Sequence, residues 1–101
     1  MPLSTAVAGV AAASTVVIVD DKPANVILLE RLLDTAGVVR MHGFTDPRQA
    51  LAHCAGSLPD LVLLDLHMPD LNGFALMEAL QRLVPEGGFL PVLVLRTRAN
   101  R

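Results

Sequence analysis

Residues 59–73 have the sequence PDLVLLDLHMPDLNG, which contains an unbroken apolar run at positions 61–64. Two further runs, at positions 16–19 and 92–95, are equally unbroken and rich in β-branched side chains. Runs that are continuous rather than alternating are typical of strands covered on both faces. The three runs therefore predict buried strands, and the more mixed segment 38–44 predicts an edge strand.

Helical patterns occupy the segments between these strands. A first helix is predicted between Pro23, which suits a first turn, and Gly37, which suits a left-handed stop. A second begins at Asp46 as its N-cap, and a third runs from about Asn72 and ends before Pro85. The predicted apolar stripe of the first helix comprises Leu28, Leu29, Leu32, Leu33 and Ala36.

The regular alternation of these elements predicts an α/β fold. Short connections between strand and helix favour a doubly wound parallel sheet with right-handed crossovers, in three α/β/α layers. In such sheets the functional site lies beyond the carboxyl ends of the strands, where the strand order reverses. We therefore expect the functional residues at that edge of the sheet.

Composition limits the class of protein. A chain of 101 residues, 52% of them hydrophobic, is long enough for one packed domain. Eight basic and ten acidic residues give a net charge of -2, which argues against a dedicated binder of nucleic acid or acidic membranes. The single cysteine excludes an internal disulfide framework.

The N-terminal segment, residues 1–14, is predicted to be a flexible leader rather than a targeting or membrane element. The apolar run at positions 6–19 is shorter than the roughly 20 residues that a membrane-spanning helix needs. No Lys or Arg precedes it, whereas a secretory signal begins with positive charge. We therefore expect a cytoplasmic domain without membrane attachment.

Three carboxylates occupy the predicted carboxyl ends of strands. Asp20 and Asp21 directly follow the first strand, and Asp65 directly follows the third. If those strands are neighbours, repulsion among the three groups raises a pKa or calls for a cation. Oxygen ligands with open positions suit Mg²⁺, and a carboxylate beside Mg²⁺ is a competent phosphoryl acceptor. A single such Asp would more often be a helix cap or a solvated loop residue, but three at adjacent strand ends favour a site.

The same residues carry a resemblance to a known family. The segment 16–21, with Asn25 and the helix behind it, is similar to the start of a response-regulator receiver domain of the CheY-like superfamily. The segment 59–73, with Met-Pro at positions 68 and 69 and with Gly73, closely resembles the sequence around that family's phosphoacceptor. The resemblance covers residues 15–95 and implies a flavodoxin-like fold and a role in two-component phosphorelay signalling.

The resemblance also implies a role for each site residue. Asp65 corresponds to the phosphoacceptor, converted to 4-aspartylphosphate by a sensor histidine kinase or a phosphotransfer protein. Asp21 and Asp65 correspond to direct Mg²⁺ ligands, with Asp20 acting through water and the backbone carbonyl of His67 as a further ligand. Such a domain is a signalling module and not an enzyme that acts on a free metabolite.

The end of the chain departs from the family pattern. Receiver domains carry Thr or Ser directly after the fourth strand, whereas here Arg96 occupies that position and Thr97 follows it. The family's Lys, last strand and last helices have no counterpart, so residues 15–101 are predicted to form a receiver domain that is incomplete at its C-terminus. The fourth strand would then leave an exposed edge, which favours self-association.

Two other functions stay open at this point. A degenerate, non-phosphorylated interaction module would keep the fold and the acidic residues without the switch, and the departures at the C-terminus favour it. A phosphatase of the haloacid-dehalogenase kind also uses a strand-end Asp with Mg²⁺, but it needs a second Asp where this chain has His67.

Overall fold

The computed structural model describes residues 14–65 and 73–95 as four parallel strands and three helices. The strands are β1 (Thr15–Val19), β2 (Arg40–Phe44), β3 (Leu61–Asp65) and β4 (Val92–Leu95), in the sheet order β2-β1-β3-β4. The helices are α1 (Pro23–Thr35), α2 (Pro47–Gly56) and α3 (Gly73–Arg82). The predicted α/β class with a doubly wound parallel sheet is confirmed.

The strand order creates a switch point between β1 and β3. The chain passes from β1 outward to β2, then returns across β1 to form β3 and β4. All three strand pairs are parallel, and Val19 of β1 lies opposite Leu64 of β3. The segment predicted to hold an edge strand does so, since β2 pairs with β1 alone within the described ranges.

Each face of the sheet has its own apolar core. Helices α2 and α3 cover one face and α1 covers the other. Strands β1 and β3 are almost completely buried, and full burial of one Val or Leu side chain contributes about 1.5–3 kcal/mol. The first core contains Val17, Val19, Ala50, Cys54, Val62, Leu64, Leu76, Leu80 and Leu90. The second contains Val16, Ile18, Val26, Leu29, Leu33, Val38 and Leu63.

Local signals define the ends of the helices as predicted. Pro23 opens α1, and Gly37 takes a φ of 97° just after that helix, a conformation that glycine adopts at little cost. Asp46 caps α2, because its side chain accepts a hydrogen bond from the backbone N–H of Arg48 at 2.9 Å. Helix α3 ends at Arg82.

The predicted stripe of α1 is wrong at one position. Leu28 is 56% exposed, whereas Val26, Leu29 and Leu33 are buried. Successive residues of a helix lie about 100° apart, and spacings of three and four keep the buried side chains on one narrow face. Leu28 lies outside that face because it is about 100° around the helix axis from its buried neighbour Leu29.

Several predictions concern residues outside the described ranges. They are the leader apart from Ser14, the start of the third helix at Asn72, and the positions of His67, Arg96 and Thr97. Within the described ranges, no helix is long and apolar enough to cross a membrane.

Candidate metal centre at the carboxyl edge of the sheet

The three predicted carboxylates lie together at the switch point. Asp20 and Asp21 follow β1, and Asp65 is the last residue of β3. One carboxylate oxygen from each residue lies within 4.8 Å of the others. The strand register explains the approach, because the pair Val19 and Leu64 places the next residue of each strand side by side.

Burial makes this cluster electrostatically costly. Asp20 and Asp65 are 0% and 1% exposed, and Asp21 is partly buried. Desolvation raises the pKa of Asp20 above its ordinary value, and the nearby charge of Asp65 raises it further. The hydrogen bond from the backbone N–H of Lys22 to Asp20 Oδ1, at 2.9 Å, and the nearby amide side chain of Asn25 lower that pKa and oppose the rise only in part.

Two oxygen atoms of the cluster have unmet hydrogen-bonding capacity. Asp20 Oδ2 and Asp21 Oδ1 are buried, and no donor within residues 14–65 and 73–95 reaches either atom. A buried polar atom without a partner costs about 1–3 kcal/mol, and more when it is charged. A cation would satisfy both oxygens and offset the repulsion among the carboxylates.

The donor set fits Mg²⁺. The side-chain ligands are all carboxylate oxygens, which hard divalent cations prefer over nitrogen or sulfur. Two ligands on opposite sides of Mg²⁺ are about 4.2 Å apart, given Mg–O distances of about 2.1 Å. Separations within 4.8 Å therefore accommodate the ion with little movement, or with water between it and one carboxylate.

Cys54 and Gly73 are buried in the fold, whereas His42 and His53 form a pair of neighbouring rings. Cys54 is buried in the core, and burial raises the pKa of its thiol. Gly73 is buried at the start of α3. The rings of His42 and His53 lie 4.6 Å apart. Their separation of eleven positions spans a strand end, a loop and a helix, so no local pattern signals the approach.

A parallel doubly wound sheet with an acidic cluster at its switch point defines a flavodoxin-like domain with carboxylates at its carboxyl edge. Residues 16–100 match the family model described as "Response regulator receiver domain". The chain belongs to the response regulator receiver domain family, as the resemblance predicted. It is thus a receiver domain of two-component phosphorelay signalling, a family for which phosphorylation and Mg²⁺ binding are typical.

Individual relatives agree with this assignment. The response regulator PleD of Caulobacter vibrioides is 37% identical over 86 residues, 85% of this chain and 18% of PleD. The chemotaxis protein CheY4 of Vibrio cholerae is 27% identical with a TM-score of 0.73, covering 86% of this chain and 71% of that structure. The chain spans about a fifth of the length of the curated relatives PleD and RpfG.

A more distant structure shares the fold. The receiver domain of the histidine kinase CKI1 from Arabidopsis thaliana, crystallised with Mg²⁺, has a TM-score of 0.75 at 18% identity. The alignment covers 87% of this chain and 70% of that one. At this identity the likeness concerns the fold alone, and that receiver domain carries Mg²⁺ in its own crystal.

Proposed function

We propose that Asp65 is the phosphoacceptor of this receiver domain and that its acidic cluster holds Mg²⁺. The observation that carries the proposal is the convergence of Asp20, Asp21 and Asp65 within 4.8 Å at the end of a buried strand. A structural role alone would not favour this arrangement, because burial and the nearby charge of Asp65 raise the pKa of Asp20.

In this mechanism a carboxylate oxygen of Asp65 attacks the phosphorus atom of the donor. The new P–O bond makes an acyl phosphate, while the bond from phosphorus to the donor breaks and its electron pair leaves with the donor. The Mg²⁺ that the carboxylates of the cluster would hold would supply positive charge to offset the negative charge of the transferring phosphoryl group. Asp21 and Asp65 would hold the ion directly, with Asp20 acting through water and the backbone carbonyl of His67 as a further ligand.

The backbone of the protein orients the carboxylates of Asp65 and Asp20. Asp65 belongs to β3, whose backbone pairs with strands on both sides, so its carboxylate is held on a rigid element. The backbone N–H of Lys22 donates to Asp20 Oδ1, while Oδ2 has no donor among the residues that the structure describes. Positioning of this kind is the main contribution a protein makes to phosphoryl transfer.

The test is the intact mass of the full chain after incubation with Mg²⁺ and acetyl phosphate. We expect one phosphoryl adduct on the wild-type protein, none on Asp65→Asn, and none when a chelator removes divalent ions. Asp60→Asn is the matched control, because Asp60 lies at the opposite end of the same strand and contacts the backbone N–H of Thr15. It should be phosphorylated like the wild type.

Other outcomes identify the alternative functions. A folded protein without an adduct would make the chain a degenerate interaction module. Steady turnover of a generic phosphate ester would instead indicate a phosphatase. An adduct that persists in Asp65→Asn would place the acceptor elsewhere.

The partners and setting follow from the same proposal. Receiver domains interact with histidine kinases or phosphotransfer proteins, and we propose one of these as the phosphodonor, in the cytoplasm, with no direct contact to nucleic acid or membrane. We also propose that this domain has no enzymatic activity beyond its own phosphorylation and dephosphorylation. The division into a leader at residues 1–14 and a receiver domain that begins at residue 15 stays a prediction.

Self-association through β4 is the last part of the proposal. Among the strands that the structure describes, β4 pairs with β3 alone, and all four of its residues are only partly buried. An apolar strand with unpaired backbone groups on one side favours pairing with another chain. A second copy of this chain would supply a strand of the same kind.

A further inference from the structure

Two histidine side chains from neighbouring elements meet on one face of the sheet. His42 lies on β2 and His53 in the last turn of α2. Their ring centroids are 4.6 Å apart, and the ring planes are tilted by 44°. His42 and Phe44 are two residues apart on the strand and so share the face that α2 covers, where Phe44 lies 5.3 Å from His53.

No described protein group hydrogen-bonds to the rings of this pair. His42 is exposed and His53 is partly buried, so solvent reaches the pair. Within the described part of the chain, neither ring takes part in a hydrogen bond. Imidazole nitrogen is the preferred ligand of Zn²⁺, Cu²⁺ and Ni²⁺, whereas Mg²⁺ prefers oxygen.

The separation of the two rings matches shared coordination. A Zn–N distance of about 2.0–2.1 Å places each ring centroid about 3.1 Å from the ion. At ligand angles between about 90° and 110°, two such centroids lie about 4.5–5 Å apart. The observed 4.6 Å lies in that range. We propose that His42 and His53 form a two-histidine site for a divalent transition-metal ion, with water completing the coordination shell.

This site is distinct from the acidic cluster. His42 lies opposite Val17 in the middle of the strand pair, whereas Asp20 begins beyond the end of β1. The ligands differ as well, so the two sites select different classes of ion. A bound ion would join α2 to the edge strand and stabilise the folded state by mass action.

The experiment is a ZnCl₂ titration of the full chain in saturating Mg²⁺, followed by thermal unfolding. At a free zinc concentration about five times Kd, we expect Tm to rise by about 4–8 °C. The rise should disappear in His42→Phe and in His53→Phe, which keep an aromatic ring but lose the nitrogens. Asp65→Asn should keep the rise, because it alters only the acidic cluster.

A second measurement does not depend on any variant. In the wild-type protein, the NMR signals of the imidazole protons of His42 and His53 should shift together, saturating at one zinc ion per chain. No rise in Tm, a rise that persists in both phenylalanine variants, or imidazole signals that do not move would overturn the proposal. A rise that Asp65→Asn abolishes would assign the zinc to the acidic cluster and would also overturn it.

Discussion

Asp20 and Asp65 lie side by side at the carboxyl edge of the sheet, one register position beyond the pair Val19 and Leu64. Both carboxylates are buried, at 0% and 1% exposure. Two buried like charges at this separation disfavour the folded state of the metal-free protein. The site therefore costs stability, as expected of a functional site rather than a structural contact.

The first prediction concerns the charge of Asp20. Asp20→Asn should increase the free energy of unfolding of the metal-free protein at pH 7 by on the order of 1 kcal/mol, since it removes a buried charge with an unpartnered oxygen. Urea unfolding in the presence of a chelator measures the change. Asp60→Asn, at the opposite end of the sheet, should give no such increase, and a loss of stability in Asp20→Asn would contradict the prediction.

The second prediction is a pH dependence of stability. The pKa of Asp20 is raised in the folded state, so the Asp20 carboxylate binds a proton more tightly in the folded protein than in the unfolded chain. We compare the free energy of unfolding of the metal-free wild type with that of Asp20→Asn. As pH falls from neutral through the raised pKa, the difference should shift in favour of the wild type. The shift should level off below the ordinary pKa of 3.8.

Thermal unfolding of the two proteins across this pH range measures that difference directly. The lowered pKa of Asp46 has the opposite effect on the pH dependence of stability. This contribution cancels in the comparison because both proteins contain Asp46. Mg²⁺ competes with the proton for the same carboxylates, so the stabilisation by Mg²⁺ should weaken as pH falls. A constant difference between the two proteins at all pH values would be inconsistent with burial of a charged Asp20.

The third prediction concerns the close contact of β2 with α1. A Cβ atom at Gly43 would collide with the side chain of Val26 and approach Glu30. Gly43→Ala should therefore lower the free energy of unfolding by about 1–3 kcal/mol, the usual cost of overpacking. Gly56→Ala is the matched control, because no atom lies within 4 Å of the added Cβ. Equal stability of the two variants would mean that β2 and α1 are less tightly packed.

The fourth prediction concerns the proposed association through β4. Sedimentation velocity at increasing protein concentration should show a growing fraction of dimer or larger species. Val94→Lys should reduce that fraction, because a charge on a strand edge disfavours pairing with another chain. Phe89→Ser is the control, since Phe89 is 85% exposed but precedes the strand. A monomer at all concentrations would remove this part of the proposal.

The elements of the fold could be predicted from the sequence because their signals are local. Continuous apolar runs predicted β1, β3 and β4, and the Asp46 cap with Pro47 predicted the start of α2. The candidate site could be anticipated for a related reason. Parallel strands place their carboxyl ends at one edge, so residues directly after two inner strands become neighbours once the strand order is known.

Other features depended on the tertiary structure. The exposure of Leu28 depends on which side of α1 packs against the sheet, and the adjacent leucines at positions 28 and 29 leave that side undetermined in the sequence. The approach of His42 to His53 arises from the packing of α2 against β2.

Local sequence specifies which residues form strands and helices and which side chains stand at the strand ends, because backbone preference and apolar patterning act over a few residues. The distances between those side chains and the loss of solvent around Asp20 and Asp65 arise only in the folded chain. Those depend on strand register and on packing between segments far apart in the chain. Desolvation and charge repulsion, which raise the pKa of Asp20, exist only after that packing is complete.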